Sequence, residues 1–312
     1  MSAKDSIYSE SPAYAFIKSV LVPSLRPAFC KCVPSIFFNF FFRQYRAALL
    51  PGVPVSKVDH PLDNKIPFVP SWVTIYLDFV FFWIRMLSFL LRRYGRRSYG
   101  PVREFILSMG NLYAFAAEAY RKNFSTTDRP FYIARPRFFV IHLLDPHLMC
   151  IPSLHIMVVT HTYTMFAAIA GQLGEEEKLG SAIRELKQGA LAISQAVLYV
   201  KQHSVNCISA ALYAMTCFDP VLFPPQEAEA FTSLLFGKAP APDESPAGDA
   251  RLLANFKVHP SASPRTRLPE ADQAELRAHI LNLYRRFLSE KEKAKTWEQP
   301  LLDFMRPLPR VK

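Results

Sequence analysis

The sequence predicts an all-α protein: a polytopic membrane bundle of about six transmembrane helices with a small cytoplasmic helical tail. Three observations carry this. Hydrophobic residues make up 50% of the 312, and 26 of them are Phe. Nearly all long apolar runs lie before residue 223, and the remainder is polar and Pro-rich. One run, Ser71 to about Leu91, contains only two charges and is long enough to cross a hydrocarbon core of roughly 30 Å.

The composition excludes several other classes. Lys+Arg number 37 against 26 Asp+Glu, for a formal charge of +11, but 13% aromatic residues do not suit a solvated basic surface, so no nucleic-acid partner is expected. The apolar content excludes a disordered chain. Cys30, Cys32, Cys150, Cys207 and Cys217 are too scattered to frame a disulfide-stapled secreted domain. The chain divides into an N-terminal region (1–65), a membrane core (66–223) and a Pro-rich linker with a helical tail (224–312).

Taken in order, Tyr14–Leu50 contains PSIFFNFFFRQYRAALL and reads either as a first span or as an interfacial amphipathic helix. The first residues lack a charged start, an apolar run and a small-residue cleavage site, so no removable signal peptide is expected. In the Ser71–Leu91 run, Asp78 and Arg85 are seven apart and share a helix face, where they point into a bundle or pair. A surface helix should show a polar stripe, and this one does not. Further apolar segments follow at about Glu104–Tyr120, Phe138–Leu148, His155–Gly171, Ala190–Val200 and Ser204–Phe223. Several are short or interrupted, as expected where helices line a cavity.

Basic residues set the expected orientation. The loop RRYGRRSYGPVR, with Arg92, Arg93, Arg96, Arg97 and Arg103, should stay cytoplasmic. Counting onward, Lys122–Arg137 is external, Gln172–Lys187 cytoplasmic, Lys201–His203 external and the tail cytoplasmic. Lys122, Arg129, Arg135 and Arg137 make an external loop basic, against the usual trend, which points to a use for them. The tail holds KAPAPDESPAGDA, then PSASPRTRLPE, then a helix from about Glu270 to Lys295. Leu276, Ile280, Leu283 and Phe287 fall there at helical spacing. It reads as an appendage behind a flexible linker, packing on its own bundle or meeting a partner or membrane surface.

Three polar clusters stand at the ends of apolar segments, on one face by this count: Lys122 to Arg129-Pro130, Pro152-Ser153-Leu154-His155, and Lys201-Gln202-His203. They combine two histidines, fixed cations and a hydroxyl, without clustered carboxylates, metal-ligand spacing or a nucleotide loop, so neither metal nor cofactor is expected. The set suits a phosphate. Cations and N–H groups hold its non-bridging oxygens, one His attacks phosphorus, and the other protonates the leaving oxygen. A helix N-terminus at His155 adds positive potential. Each residue also has a plainer reading: Lys122 as half of an i,i+4 pair with Glu118, Arg129 as a snorkelling cation, Ser153 as a helix cap.

With K-x6-R-P at Lys122, Arg129 and Pro130, P-S-x-H at Pro152, Ser153 and His155, and VKQHSVNC around His203, the chain resembles the type 2 phosphatidic acid phosphatase superfamily from about Ile66 to Ala214. Leu154 and the entry DNKIPFVPSWVTIYL are similar to its inositol phosphorylceramide synthase branch. The resemblance implies phosphate binding by Lys122 and Arg129, and the polar clusters add Ser153 and Lys201 to the expected phosphate contacts. It implies general-acid work by His155 and a phosphohistidine on His203. The implied activity is a lipid phosphatase or a phospholipid or sphingolipid head-group transferase acting on a phosphorylated lipid. Its expected place is a bacterial cytoplasmic membrane, with the active site facing outside. Two positions depart from the family pattern. Ala196 and Val197 stand where phosphatases carry Ser-Arg. Cys207 stands where an Asp orients the nucleophilic His, and a neutral thiol is a weak acceptor. Asn206, Asp145 or a Cys207 thiolate are the candidate substitutes; failing them, the chain is a degenerate relative that binds phospholipid or scaffolds a complex.

Overall fold

The computed structural model describes residues 6–50, 54–237 and 268–311. It is mostly helical, 73% helix and 3% strand, as the apolar periodicity predicts. KAPAPDESPAGDA and most of PSASPRTRLPE lie outside the described residues.

Helix α1 (Pro12–Leu21) is followed by α2 (Arg26–Ile36), which continues through a π-helical stretch, Phe37–Phe42, into α3 (Arg43–Leu49). The two arms are bent by 119°, so Tyr14–Leu50 is not one straight span. After strand β1 (Val55–Lys57), the Ser71–Leu91 run forms α4 (Val73–Leu77) and α5 (Phe79–Tyr94). They meet at Asp78, whose carboxylate pairs with Arg85, one of the two arrangements their spacing allows. Gly95 then takes φ +51°, a conformation open mainly to glycine, and the chain enters α6 (Tyr99–Lys122). α2 lies on α6, and a Cβ at Gly110 would stand 3.1 Å from the Cys32 Cα.

Strand β2 (Phe124–Thr126) leads by a loop to the short α7 (Pro136–Leu144). α8 (Leu154–Leu173) ends at Gly174, φ +68°, whose N–H returns to the Ala170 and Gly171 carbonyls. α9 (Glu176–Tyr199) corrects one expectation, because its first half occupies the Gln172–Lys187 stretch read as a loop. Leu179, Ala182 and Leu186 are buried at helical spacing there, hidden in sequence among charges. α10 (Val205–Phe218) follows, its first turn capped by Ser204, and then α11 (Pro225–Leu234).

By length and composition, two helical runs can cross a membrane, Pro70–Lys122 and Leu154–Leu173, or three if the bent N-terminal pair is one span. The six expected spans are not reached among the described residues. α7 has 9 residues and α10 has 14, about 13 and 21 Å of helix against a core of roughly 30 Å.

The tail is part of the fold. Helix α12 (Glu270–Lys291) lies along α10, with Leu276, Ile280 and Phe287 fully buried. Its His279 Nε2 is 2.8 Å from Asn206 Oδ1 at one end of α10, and Tyr284 Oη is 3.0 Å from Thr216 Oγ1 at the other. The chain then returns through α13 (Gln299–Met305) towards the end of α6, where buried Glu298 pairs with Lys122. Strand β3 (Arg310–Val311) closes a small sheet of order β2-β1-β3, antiparallel to β1, while β1 and β2 run parallel.

This overturns the expected orientation. The tail and the Lys122–Arg137 segment cannot face opposite sides of a membrane when Glu298 and β3 join them directly. Loop charge records nothing about where an amphipathic tail docks. Its apolar stripe needs a partner, and α10 supplies one.

Candidate active site

Two chain turns deliver the central side chains. At the start of α8, Ser153 takes an extended backbone at the cap position and places His155 in the first turn. Between α9 and α10, the Val197 carbonyl accepts from both the Gln202 and His203 amides, at 2.9 and 3.1 Å. Lys201 closes that turn at φ +55°, a left-handed conformation costly for a residue with a Cβ. The turn carries His203 inward: its Nε2 lies 3.3 Å from Ser153 Oγ and 3.2 Å from His155 Nδ1. All three residues are buried.

Aromatic rings fix His155. Tyr76 stacks on it at 4.5 Å between centroids and Phe79 lies at 4.1 Å. The Tyr120 hydroxyl donates to the Pro152 carbonyl just ahead of the cap. Burial pushes the His203 imidazole down to about 3, opposed by the Cys150 backbone carbonyl, so at neutral pH the ring is uncharged and keeps a lone pair.

The predicted residues divide into those that converge and those that do not. Ser153, His155 and His203 meet. Arg129 reaches the edge of the cluster: its Nη1 donates to Gln202 Oε1 at 3.2 Å and its Nη2 to the Asp145 carbonyl at 3.1 Å. Lys122 does not take part, being held by Glu298. Lys201 turns away to donate to the Asp63 carbonyl.

None of the three candidate substitutes orients His203. Asn206 is spent on His279 and the Val58 carbonyl. Asp145 Oδ1 accepts from the His147 amide at 2.9 Å. Cys207 is fully buried, and burial pushes its thiol far above the ordinary value, so a thiolate is not available. The His203 Nδ1, where an orienting carboxylate would sit, has no hydrogen-bond partner among the described residues.

A third histidine was not legible in the sequence. His147 is buried with φ +61°, its Nε2 is 2.8 Å from Thr127 Oγ1, and its ring centre is 6.2 Å from that of His203. Burial and the nearby Arg129 cation hold it well below the usual imidazole range, and hence neutral. Asp-Pro-His carries no spacing signal, and only the fold brings His147 to the cluster. Phe40 and Gln44, from the π-helical stretch and α3, complete a small cavity over these rings with room for about one water. Among the described residues, no group of three or more His, Cys, Asp or Glu is placed to hold a metal ion.

No family model, no curated protein and no solved structure matches the chain.

Proposed function

We propose that the chain is a membrane-associated enzyme that cleaves or transfers the phosphoester head group of a lipid through His203, as a divergent relative of the type 2 phosphatidic acid phosphatases. One observation carries the reading. Ser153 and His155 meet His203 across sequence separations of 50 and 48 residues, at the start of a helix and beside a guanidinium.

In this scheme His155 enters as an imidazolium, taking its proton with the phosphate dianion that pairs with it. His203 Nε2 attacks phosphorus while the bond to the leaving oxygen breaks, and His155 gives that oxygen its proton. Arg129 spends two donors on Gln202 and Asp145, and a guanidinium has five, so others remain for the non-bridging oxygens. The Ser153 hydroxyl and the amides opening α8 add to that clamp. An acceptor then gives its proton to His155 and its oxygen to phosphorus, releasing His203. Water as acceptor yields free phosphate, and a lipid hydroxyl yields a new ester. The imidazoles stand in contact, so a phosphate enters only when their rings part.

The experiment is turnover of a panel of phosphorylated lipids, with and without a lipid alcohol, alongside acid-labile phosphate labelling. Wild type should show both activity and label, and His203→Ala neither. Arg129→Lys should lose at least about tenfold, because an ammonium cannot reproduce the fork. Turnover surviving His203→Ala would refute the phosphohistidine.

A second reading has its own support. The bare His203 Nδ1, the neutral Cys207 and the capture of Lys122 by Glu298 suit a degenerate relative that binds phospholipid without turning it over. A wild type lacking both label and turnover, yet retaining phosphorylated lipid, would establish it.

A further inference from the structure

The apolar surface is one-sided. Apart from Val221, every exposed large apolar side chain among the described residues lies on α1, on the α2–α3 arm and Leu50 just past it, at the start of α5, or between Phe131 and Leu143. These segments are neighbours. Phe16 of α1 packs on Phe29 of α2 at 5.8 Å, the Tyr45 hydroxyl at the end of the arm donates to the Leu143 carbonyl at 3.3 Å, and Arg137 of α7 donates to Thr74 of α4 just ahead of α5. Phe37, Phe41, Leu49 and Leu143 stand out from it. Patches of this kind on an otherwise polar surface mark contact with another phase or molecule.

Another flank is built for water. α12 is 22 residues long, about 33 Å, and runs beside α10 from the Asn206 end to the Thr216 end. Its outward positions include Glu270, Glu275, Asn282, Arg285, Arg286 and Ser289, all exposed. No bilayer can surround a bundle whose flank carries that row through its whole depth. α8, although long and apolar enough to span, exposes no large apolar side chain, so lipid has nothing to grip there.

The charge on the apolar side indicates its partner. Residues 11–50 contain no Asp or Glu and five cations, of which Arg26, Lys31 and Arg46 are exposed. Arg135 and Arg137 are exposed beside α7. An apolar face rimmed by cations and free of carboxylates matches the interface of an anionic leaflet, as amphipathic interfacial helices do.

We infer that this protein enters one leaflet of an anionic bilayer from one side, through the α1–α3 arm and the Phe131–Leu143 segment, and does not cross it. The bent α1/α2–α3 pair is then a re-entrant wedge, and the tail, the arginine-rich loop at 92–98 and the His203 site all lie on the same side of the membrane. This holds whether or not the histidines turn over a substrate.

The test uses the full chain in vesicles of phosphatidylcholine alone or with one-third phosphatidylglycerol. Spin labels at positions 38 and 140 should lie within the acyl region, roughly 5–10 Å below the head groups. Labels at positions 96, 128, 184 and 286, all exposed in the fold, should be open to a water-soluble relaxant added outside only. Binding to the anionic vesicles should be tighter by about tenfold or more. Phe37→Glu with Phe41→Glu should release the protein, while Val221→Glu should not. Lipid shielding at position 184 or 286, or positions 96 and 128 answering from opposite sides, would overturn the inference. So would retention of a folded Phe37→Glu/Phe41→Glu variant in the bilayer. The depth labels are read on chains with the apolar face intact, so they decide the matter even if that double variant aggregates.

Discussion

Replacing Phe287 by Ala should undock the tail, and the cost can be worked from its surroundings. The ring is fully buried, with Tyr213 of α10 at 5.5 Å and Phe304 of α13 at 5.6 Å, the latter edge to face. Removing a buried Phe side chain loses its transfer free energy and leaves a cavity, together about 3–5 kcal/mol, and two aromatic neighbours place it towards the middle of that range. At 1.36 kcal/mol per factor of ten, a loss of about 4 kcal/mol raises the population of undocked tail roughly a thousandfold. Amide hydrogen exchange read on α12 reports that population directly. Arg286→Ala, next in sequence but on the exposed side, is the control and should change exchange by less than threefold, since such surface changes stay within about 0.5 kcal/mol. The reasoning fails if the two variants exchange alike. α12 would then not be packed on α10, and the case for a water-facing flank would go with it.

Two further outcomes follow from close packing and from burial. Gly189→Ala places a Cβ 2.1 Å from the Tyr8 hydroxyl and 2.7 Å from the Phe82 ring, so thermal unfolding should show a loss of about 1–3 kcal/mol from overpacking between α5 and α9. His279, pushed down to about 4 by burial and by His60 stacked at 4.0 Å, binds its proton more readily when the tail is undocked. Docking should therefore be strongest above the ordinary imidazole value near 6.5 and weaken progressively as pH falls towards 4, a trend that His279→Gln should flatten in the same exchange measurement.

The parts of this molecule legible in its sequence are those fixed by local pattern. The Asp78–Arg85 pair is one of the two arrangements that a seven-residue spacing allows, and Leu276, Ile280, Leu283 and Phe287 are all buried as their periodicity requires. Half of α9 is hidden because Leu179, Ala182 and Leu186 serve as core while the charged residues 175–178, Arg184, Glu185 and Lys187 break up any apolar run. A search for apolar runs cannot see a stripe. The failed orientation has the same origin at longer range. Arginine counting assigns sides to loops one after another, whereas Glu298 meets Lys122 across a separation of 176 residues that no local count includes.

The candidate site shows where motif reading stops. Ser153, His155 and His203 lie in segments whose spacing marks them, and the fold brings them within 3.3 Å. Lys122 belongs to the same pattern but sits at the last turn of α6, where a buried carboxylate from the tail claims it. Whether it serves a phosphate therefore depends on the tail, and the two proposals become coupled. A leaflet that takes up the α2–α3 arm also meets the segment that carries Phe40 and Gln44, which line the cavity over His203. Membrane entry and ring separation would then be one event, with lipid reaching the histidines from the apolar side and the tail governing the lysine from the wet side. If so, anionic vesicles should raise the labelling of His203 in the wild type but not in Phe37→Glu/Phe41→Glu. Glu298→Gln should raise it with or without vesicles, by freeing Lys122 alone. Equal labelling of all three proteins in both conditions would separate the surface from the site and leave the apolar face as an anchor only.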